Sequence, residues 1–297
     1  MSLRDQLRGT GVAVVTPFKS DTSVDYDALR KLLNFVIEDG VQYIVTLGTT
    51  GETPTLSKEE KAEIIQFTFE VVAARVPVVI GVGGNNTAAV IKELETLPLE
   101  NAAAILSASP YYNKPSQEGI FQHYKALADV TARPIILYNV PGRTGSNIAP
   151  ATTVRLAREI PTIAGIKEAS GNMVQCMEIL RDKPEEFMVV SGDDALALPQ
   201  IACGMDGIIS VAANAFPKDF SAMVANALQG DFQKARALNE VLMAAYEIMF
   251  AENNPAGVKS FLAEMGIIEN HLRLPLVPLS EPLQKQVSAF MNRYTKS

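Results

Sequence analysis

Short runs of apolar, β-branched residues alternate with amphipathic stretches along most of this chain. The runs are hydrophobic at almost every position, which is typical of strands covered on both faces. We expect strands at residues 11–16, 43–47, 78–82, 103–108, 135–140, 162–167, 187–192 and 207–211. The stretches between them repeat apolar residues at helical spacing, so the pattern predicts alternating strands and helices.

Several residues mark where these helices begin and end. Ser57 and Glu60 have capping-box spacing and predict a helix start at Ser57. Thr87 and Ser116 are the expected caps of the next two helices, and Gly40 is the expected stop after the first one. Each of the first four expected helices therefore carries a boundary signal.

The strand ends recur roughly every 20 to 34 residues, which is the size of one βαβ unit. Eight such units close into a (β/α)8 TIM barrel, and the alternative is an open doubly wound sheet. A nucleotide-binding sheet of that kind carries G-x-G-x-x-G after its first strand, and residues 16–25 form no such loop. The glycine-rich residues 81–86 follow the third strand and indicate a tight turn. We therefore predict an α/β fold with a TIM barrel.

Beyond residue 216 the pattern is helical only, so we expect a C-terminal helical appendage on the barrel. The predicted boundaries are 1–230 for the barrel domain and 231–297 for the helical domain. A proline-rich stretch at residues 272–282 separates the last helix from its predecessor. The expected packing residues of these helices, which we do not interpret as a cofactor site, are Met243, Tyr246, Met249 and Phe250.

Composition excludes several classes of function. The formal net charge of −7 argues against nucleic acid as a partner, since binding it requires a basic surface. No apolar run approaches the roughly 20 residues of a membrane helix, and the amino terminus lacks the apolar core of a signal peptide, so we expect a cytoplasmic protein. Two histidines and two distant cysteines argue against a metal site and against a disulfide framework.

Lys167 lies inside an expected buried strand, in the sequence IAGIKEASG at residues 163–171. An ammonium group removed from water is costly unless it is paired or loses its proton. One interpretation is an ion pair with Glu168 or another carboxylate, and the other is an amine kept partly neutral so that it can attack a carbonyl carbon. This stretch alone leaves both interpretations open.

Further candidate groups fall at the carboxyl ends of other strands, where barrel chemistry takes place. Tyr138 ends the strand next to that of Lys167, about 4.8 Å away, and is a candidate proton partner. The turn GTTGE at residues 48–52 offers hydroxyl and backbone N–H groups to a small anion, and Arg143 offers a bidentate carboxylate site. Each feature alone also fits a rim residue, a simple turn or a loop ion pair, but their meeting at one rim favours an active site.

The chain carries in this order the motifs VAVVTPF, GTTGE, SPYYNKPSQEG, YNVPGRTG, GIKEASG, SGDD and LRLPL. This series resembles, nearly end to end, the dihydrodipicolinate synthase family. That family is part of the pyruvate-dependent class I aldolases, which include N-acetylneuraminate lyase. The resemblance implies a lyase that condenses pyruvate with L-aspartate 4-semialdehyde, after which the product cyclises, in diaminopimelate and lysine biosynthesis. It implies no cofactor, because pyruvate itself would form a Schiff base with the enzyme.

The resemblance also implies a role for each matching residue. Lys167 would form the Schiff base, and Tyr138 would relay protons with the help of Thr49 and Tyr112. In this family the tyrosine at the place of Tyr112 reaches into a neighbouring subunit's site, so we expect at least a dimer. The family also suggests a homotetramer built from two tight dimers.

The remaining implied residues bind substrate. Thr50 would hold the pyruvate carboxylate, and Arg143 would receive the carboxylate of the aldehyde. The carbonyl groups of Gly192 and Ile209 would line the site. The sialic-acid lyase branch is a poorer match, because it usually has a serine before the threonine of its GTTGE-type motif and lacks the arginine of the PGRTG loop.

One departure from the family concerns feedback inhibition by L-lysine. Inhibited relatives commonly have histidines where this chain has Lys58 and Lys61, and a glutamate where it has Ala89. A cationic ligand would meet like charges there and lose a carboxylate partner, so we expect weak or absent inhibition. Tyr111 and Asn85 still match the inhibited relatives.

Two rival functions remain open from the sequence. One is another pyruvate-dependent aldolase, either N-acetylneuraminate lyase-like or acting on a 2-keto-3-deoxy acid, and the other is a non-catalytic pyruvate-binding barrel. Lys167, Tyr138 and both threonines argue against the second rival, since a binding protein has no need of a buried amine.

Overall fold

A computed structural model describes residues 2–295 and shows a closed barrel of eight parallel strands within them. The strands are β1 (Gly9–Ala13), β2 (Tyr43–Thr46), β3 (Val78–Gly81), β4 (Ala104–Ala108), β5 (Ile135–Asn139), β6 (Ile163–Glu168), β7 (Met188–Ser191) and β8 (Gly207–Ser210). They pair in chain order, and β8 closes onto β1. The predicted TIM barrel is confirmed.

The helices alternate with the strands and then continue beyond β8. They are α1 (Leu3–Gln6), α2 (Tyr26–Glu38), α3 (Lys58–Val72), α4 (Thr87–Thr96), α5 (Gln117–Ala128), α6 (Pro141–Thr144), α7 (Pro150–Glu159), α8 (Met173–Asp182), α9 (Ala197–Ala202), α10 (Pro217–Leu228), α11 (Phe232–Phe250), α12 (Ala256–Glu264) and α13 (Glu281–Tyr294). Among the described residues, none of these helices combines the length and the apolarity needed to cross a bilayer.

The helix boundaries follow the expected caps with one exception. Ser57 and Glu60 form the capping box of α3, and Ser116 caps α5. Gly40 follows the end of α2 with a φ of 96°, as its role of stop residue requires. The expected cap Thr87 is wrong: Asn86 caps α4, because its Oδ1 accepts a hydrogen bond from the backbone N–H of Ala89.

β1 begins and ends earlier than the expected 11–16, for two physical reasons. At its start, Gly9 already pairs with Gly207 of β8, and the two backbones approach so closely that a Cβ on Gly207 would stand 2.0 Å from the Gly9 carbonyl oxygen. At its end, the backbone N–H of Val15 donates to Asn214 Oδ1 (3.2 Å) instead of to a neighbouring strand. After Ala13, the Val14 N–H still donates to the Val45 carbonyl oxygen beside β2 (3.0 Å), but on the side of β8 the Asn214 side chain holds the backbone.

Alternation along the strands separates two apolar clusters. The inner cluster fills the barrel and includes Tyr43, Val45, Ile136, Tyr138 and Val190. The outer cluster lies between the barrel wall and the helices. Tyr138 therefore points into the barrel near its carboxyl end, and a residue paired with it on the next strand does so too.

Helices α12 and α13 pack against the start of α10, the helix that follows β8. An aromatic cluster joins Phe216, Phe261 and Phe290, with ring centroids 5.5 to 5.8 Å apart. We propose that the domain boundary lies at residue 230, because Gly230 has a φ of 83° in the turn between α10 and α11. The C-terminal helices α11–α13 then form the appendage that the sequence pattern predicts.

Candidate active site

Lys167 and Tyr138 are paired neighbours on β6 and β5. Paired residues of parallel strands project from the same face of the sheet, so both side chains point into the barrel. Lys167 Nζ lies 4.3 Å from the centroid of the Tyr138 ring, and the two residues are 5 % and 7 % exposed. The structure thus brings the expected nucleophile and the expected proton partner together.

Glu168 does not pair with Lys167. Its carboxylate lies on the other face of β6, where it accepts hydrogen bonds from Asn139 Nδ2 (3.0 Å), Gln175 Nε2 (3.1 Å) and the backbone N–H of Ser170 (2.7 Å). Within residues 2–295, none of the lysine ion pairs involves Lys167. The ion-pair interpretation of Lys167 is therefore wrong.

Gly192 makes room for the Lys167 side chain. A Cβ at position 192 would stand 2.9 Å from Lys167 Cε and 2.7 Å from Ala169 Cβ. Only a glycine fits there without displacing the lysine. In the motif SGDD, Ser191 therefore ends β7, and the glycine that follows it allows the close approach of the Lys167 side chain. Gly192 also lines the cavity into which Lys167 projects.

The two threonines of GTTGE lie in a single turn of 3-10 helix, Thr49–Gly51, which follows β2. The Thr16 hydroxyl donates to the Gly51 carbonyl oxygen (2.7 Å) and the Thr53 hydroxyl to that of Gly48 (2.9 Å), so side chains hold the turn on both sides. We refer to residues 48–52 as the threonine turn. It places Thr49 half-buried and Thr50 buried at the rim, where both line the same cavity as Lys167.

A residue of the C-terminal region reaches this turn. Asn254 Nδ2 donates to Thr50 Oγ1 over 2.9 Å, and Asn254 is 5 % exposed. Since the Thr50 oxygen accepts this bond, its own proton is free to be donated into the cavity. The sequence interpretation missed Asn254, and its only local signal is an asparagine pair before Pro255 between two helices.

Arg143 lies on the short helix α6, which follows β5. The Thr144 hydroxyl fixes the end of this helix by donating to the Ser146 carbonyl oxygen (2.7 Å), and Gly145 closes it with a φ of 62°. Among the described residues, none of the arginine ion pairs involves Arg143. Its exposed guanidinium is therefore available to a ligand.

The cavity at the carboxyl end of the barrel has a volume of about 500 Å³. Six of the eight expected site residues line it, namely Thr49, Thr50, Tyr138, Arg143, Lys167 and Gly192. They come from the carboxyl ends of four strands, β2, β5, β6 and β7, which the barrel brings to one rim. The cavity therefore combines an amine, a phenol, two hydroxyls and a guanidinium at one place.

The other two expected residues, Ile209 and Tyr112, are not among those that line this cavity. Ile209 lies near the end of β8, and its side chain is part of the apolar cluster inside the barrel. Tyr112 is 90 % exposed in the loop after β4. Asn85 Oδ1 holds this loop by accepting hydrogen bonds from the backbone N–H groups of Tyr111 (2.7 Å) and Tyr112 (3.3 Å).

Helix α11 supplies part of the cavity wall, which the sequence pattern did not indicate. Met243, Tyr246, Glu247 and Phe250 line the cavity, so α11 covers one side of it. Tyr246 and Met249 are buried, as expected of packing residues, whereas Met243 and Phe250 are exposed at the cavity wall. The helical repeat predicts which face of α11 is apolar but not what that face covers.

Burial changes the acidity of groups next to the cavity. Asp194 accepts hydrogen bonds from the backbone N–H groups of Val211 and Ala212 (2.8 Å to the latter), and its burial raises its pKa to about 6. Burial also raises the pKa of the Tyr246 phenol, and the charge of Asp194 adds to this effect. In the part of the chain that the structure describes, no cluster of three or more His, Cys, Asp or Glu residues could hold a metal ion.

The sequence and the fold of this chain are similar to those of known proteins. The sequence profile described as the Dihydrodipicolinate synthetase family matches residues 6–294. The chain belongs to this family. The 4-hydroxy-tetrahydrodipicolinate synthase of Parabacteroides distasonis is 53 % identical over 272 residues, which are 92 % of each chain.

Solved structures of dihydrodipicolinate synthases have the same fold. The enzyme of Thermotoga maritima superposes with a TM-score of 0.95 at 38 % identity, over 98 % of this chain and 99 % of that one. The chloride-inhibited enzyme of Acinetobacter baumannii in complex with pyruvate has a TM-score of 0.93 at 43 % identity, over 96 % and 98 %. The family resemblance seen in the sequence motifs is confirmed, and the chain is an enzyme of this synthase family.

Proposed function

We propose that this chain is a 4-hydroxy-tetrahydrodipicolinate synthase, which condenses pyruvate with L-aspartate 4-semialdehyde in diaminopimelate and lysine biosynthesis. The observation that carries the proposal is the position of Lys167 Nζ, 4.3 Å from the Tyr138 ring in a cavity that Arg143 also lines. The Acinetobacter baumannii relative binds pyruvate, which supports pyruvate as the first substrate. We also propose that the enzyme acts in the cytoplasm.

The first half of the reaction uses the Lys167 amine as a nucleophile. The amine attacks the keto carbon of pyruvate, and loss of one water gives a Schiff base. Tyr138 lies close enough to Lys167 to pass protons to the departing oxygen. Thr50 would donate its hydroxyl proton to the pyruvate carboxylate, since Asn254 occupies the Thr50 oxygen as a donor. No further cofactor is needed, because the protonated imine itself withdraws electrons from the pyruvate methyl carbon.

The second half forms the carbon–carbon bond. Removal of a proton from the methyl carbon gives an enamine, which attacks the aldehyde carbon of aspartate 4-semialdehyde. The amino group of that substrate then attacks the imine carbon, closes the ring and displaces the Lys167 amine. Pyruvate and the aldehyde together lose one water, so the atoms balance. Arg143 would hold the carboxylate of the aldehyde during these steps.

Tyr112 could take part in the reaction only if the protein is an oligomer, because it does not line the cavity of its own chain. Its phenol is almost fully exposed in a single chain, and a loop held by Asn85 presents it outward. We propose that Tyr112 joins the proton relay of Tyr138 and Thr49 in a neighbouring subunit and that the enzyme is a homotetramer of two tight dimers. Light scattering that gives the mass of a single chain at working concentration would contradict this assembly.

Turnover with a panel of aldehydes tests the choice of substrate. With pyruvate present, we expect aspartate 4-semialdehyde to have a kcat/KM far above that of a neutral sugar aldehyde or a simple neutral aldehyde. Arg143→Ala is expected to lower kcat/KM for the carboxylated aldehyde about 100-fold, or about 2.7 kcal/mol, because a charge-assisted bidentate contact is lost. The KM for pyruvate should change little.

Two variants serve as controls for that comparison. Arg143→Lys keeps the charge but loses the planar fork, so its loss should be intermediate. Arg236→Ala removes an exposed guanidinium on α11 and should behave like the wild type. A higher kcat/KM with the neutral sugar aldehyde would favour the lyase-like alternative and overturn our choice of substrate.

L-lysine is expected to inhibit this enzyme weakly or not at all. Lys61 pairs with Glu93 (2.9 Å), so this carboxylate is already engaged, while Lys58 is exposed and Ala89 carries no charge. At these positions a cationic amino acid would meet positive charge and would have no free carboxylate to bind. We expect half-inhibition only above about 1 mM lysine, measured on initial rates. Ala89→Glu should lower that concentration, and strong inhibition of the unchanged chain would contradict the prediction.

A further inference from the structure

Lys259 and Glu52 form an ion pair that is completely buried beside the active site. Both side chains are 0 % exposed, and Lys259 Nζ contacts Glu52 Oε1. Lys259 Nζ also donates to the His271 carbonyl oxygen (2.9 Å) and lies 4.3 Å from the centroid of the Phe18 ring. Burial lowers the pKa of the Lys259 amine, and the charge of Glu52 opposes that change.

The same carboxylate is held by a third segment of the chain. Glu52 Oε2 accepts a hydrogen bond from the backbone N–H of Arg273 (3.1 Å). The Arg273 guanidinium pairs with both oxygens of Glu60 (2.5 and 2.8 Å) and lies 4.4 Å from the Phe18 ring. Glu52 is therefore bound from α12 and from the proline-rich stretch, two regions more than 200 positions away in the sequence.

A pair of this kind is a poor device for stability alone. Removing two charges from water offsets most of their attraction, so apolar residues of similar size often stabilise a fold equally well. The contribution of such a pair therefore lies more in what it holds in place than in stability. Glu52 follows directly on the 3-10 turn that carries Thr49 and Thr50.

Glu52 is the last residue of the threonine turn, and its backbone is left-handed, with φ 54° and ψ 32°. A residue with a Cβ adopts this conformation only when its surroundings hold it there. The threonine turn ends in this strained residue. The backbone conformation of Glu52 therefore helps to determine where Thr49 and Thr50 lie relative to Lys167. The side chain of Glu52 is anchored to α12, so α12 holds the conformation.

The start of α12 contacts the threonine turn a second time. Asn254, which binds Thr50, lies just before this helix, and Lys259 lies in its first turn, where its backbone N–H donates to the Pro255 carbonyl oxygen (3.0 Å). The two contacts, from Asn254 and from Lys259, thus come from the same end of α12. They hold both ends of the segment from Thr50 to Glu52.

We propose that Lys259 and Glu52 are positioning residues for catalysis: their ion pair clamps the threonine turn onto α12 and sets the places of the Thr49 and Thr50 hydroxyls. This role rests on the proposed function, in which those hydroxyls bind pyruvate and relay protons. Neither Lys259 nor Glu52 lines the cavity, so both act through the turn.

The test is the double variant Glu52→Met/Lys259→Met in the full chain. It leaves no unpaired charge between the two positions and keeps a Cβ at position 52, so the fold should survive while the turn loses its anchor. We expect the KM for pyruvate to rise at least about tenfold and kcat to fall, because small displacements of binding groups are costly in catalysis. The KM for the aldehyde, which Arg143 binds, should stay within about twofold.

Two further variants serve as controls for the KM values of this double variant. Glu52→Gln/Lys259→Met keeps an oxygen acceptor for the Arg273 N–H but lacks the ion pair with α12, so its KM for pyruvate should also rise, and it replaces the first variant if that one does not fold. Arg4→Met/Asp206→Asn breaks an ion pair (2.7 Å) whose residues do not line the cavity and should leave the KM for pyruvate unchanged. Thermal unfolding of all variants measures stability separately.

Borohydride trapping with pyruvate distinguishes the two proposals. If the wild type gives no adduct, the proposed function fails. If the wild type gives an adduct and the folded double variant is trapped at the same pyruvate concentrations with unchanged kcat, the clamp fails while the function stands. A higher pyruvate requirement in the folded double variant, with no matching change in Arg4→Met/Asp206→Asn, supports the clamp.

Discussion

Replacing Lys167 with alanine is expected to lower kcat by about 10⁴-fold or more, because the variant has no amine to form the Schiff base. The side chain lies in the barrel and lines the cavity, so the truncation removes the nucleophile and leaves the strand pairing intact. Borohydride reduction of the wild type with pyruvate should add the mass of a reduced pyruvate adduct to the peptide that contains Lys167. Steady-state rates check the first statement, and peptide mass mapping checks the second.

A matched control is available on the surface. Lys218 is an exposed lysine at the start of α10, and Lys218→Ala should keep full activity and form the adduct at Lys167. An adduct on another lysine, or substantial turnover by Lys167→Ala, would show that the nucleophile lies elsewhere. Bound pyruvate without any adduct would favour the non-catalytic pyruvate-binding barrel.

The second large effect is expected from Tyr138→Phe. This variant keeps the ring beside Lys167 and removes only the phenol oxygen, so it tests proton transfer apart from packing. General acid–base catalysis contributes about 10²- to 10⁴-fold, and we expect kcat to fall within this range. Steady-state rates measure the loss, and borohydride reduction of the imine at successive times shows whether its formation has become slower.

Tyr43 provides the control for that prediction. It also belongs to the inner cluster of the barrel, where its hydroxyl donates to the Ile208 carbonyl oxygen (3.1 Å), but it does not line the cavity. Tyr43→Phe should therefore lower stability slightly and leave kcat near that of the wild type. Equal losses of kcat in the two variants would mean that Tyr138 acts only through packing.

Local pattern predicted the fold well because each strand and each cap is encoded by residues close together. The eight apolar runs became eight strands, and the capping box at Ser57 and Glu60 became the start of α3. The early end of β1 could not be predicted in this way, because Asn214, which draws Val15 out of the ladder, is 199 positions away. An apolar run shows that a segment is buried but not which of its backbone groups find partners in the sheet.

The residues of the candidate site were also predicted only in part. The strand-end motifs named six residues that line the cavity, because the geometry of a barrel brings strand ends together whatever lies between them. Tyr112 does not line it, and the proposed place of its phenol depends on a second subunit. The residues of α11 that line the cavity were not predicted as site residues. Their helical repeat shows that one face of the helix is apolar, but it does not show what that face packs against.

The barrel, the family and the set of chemical groups at the strand ends could all be predicted before folding is considered, because they follow from periodicity and from short motifs. The lack of an ion pair between Lys167 and Glu168 became visible only in the folded chain, where Glu168 projects from the opposite face of β6. Only the tertiary structure brought Asn254 to Thr50 and Lys259 to Glu52, across more than 200 positions. Such contacts depend on where the closed barrel and the returning chain leave room, and no local pattern of hydrophobic and polar residues carries that information.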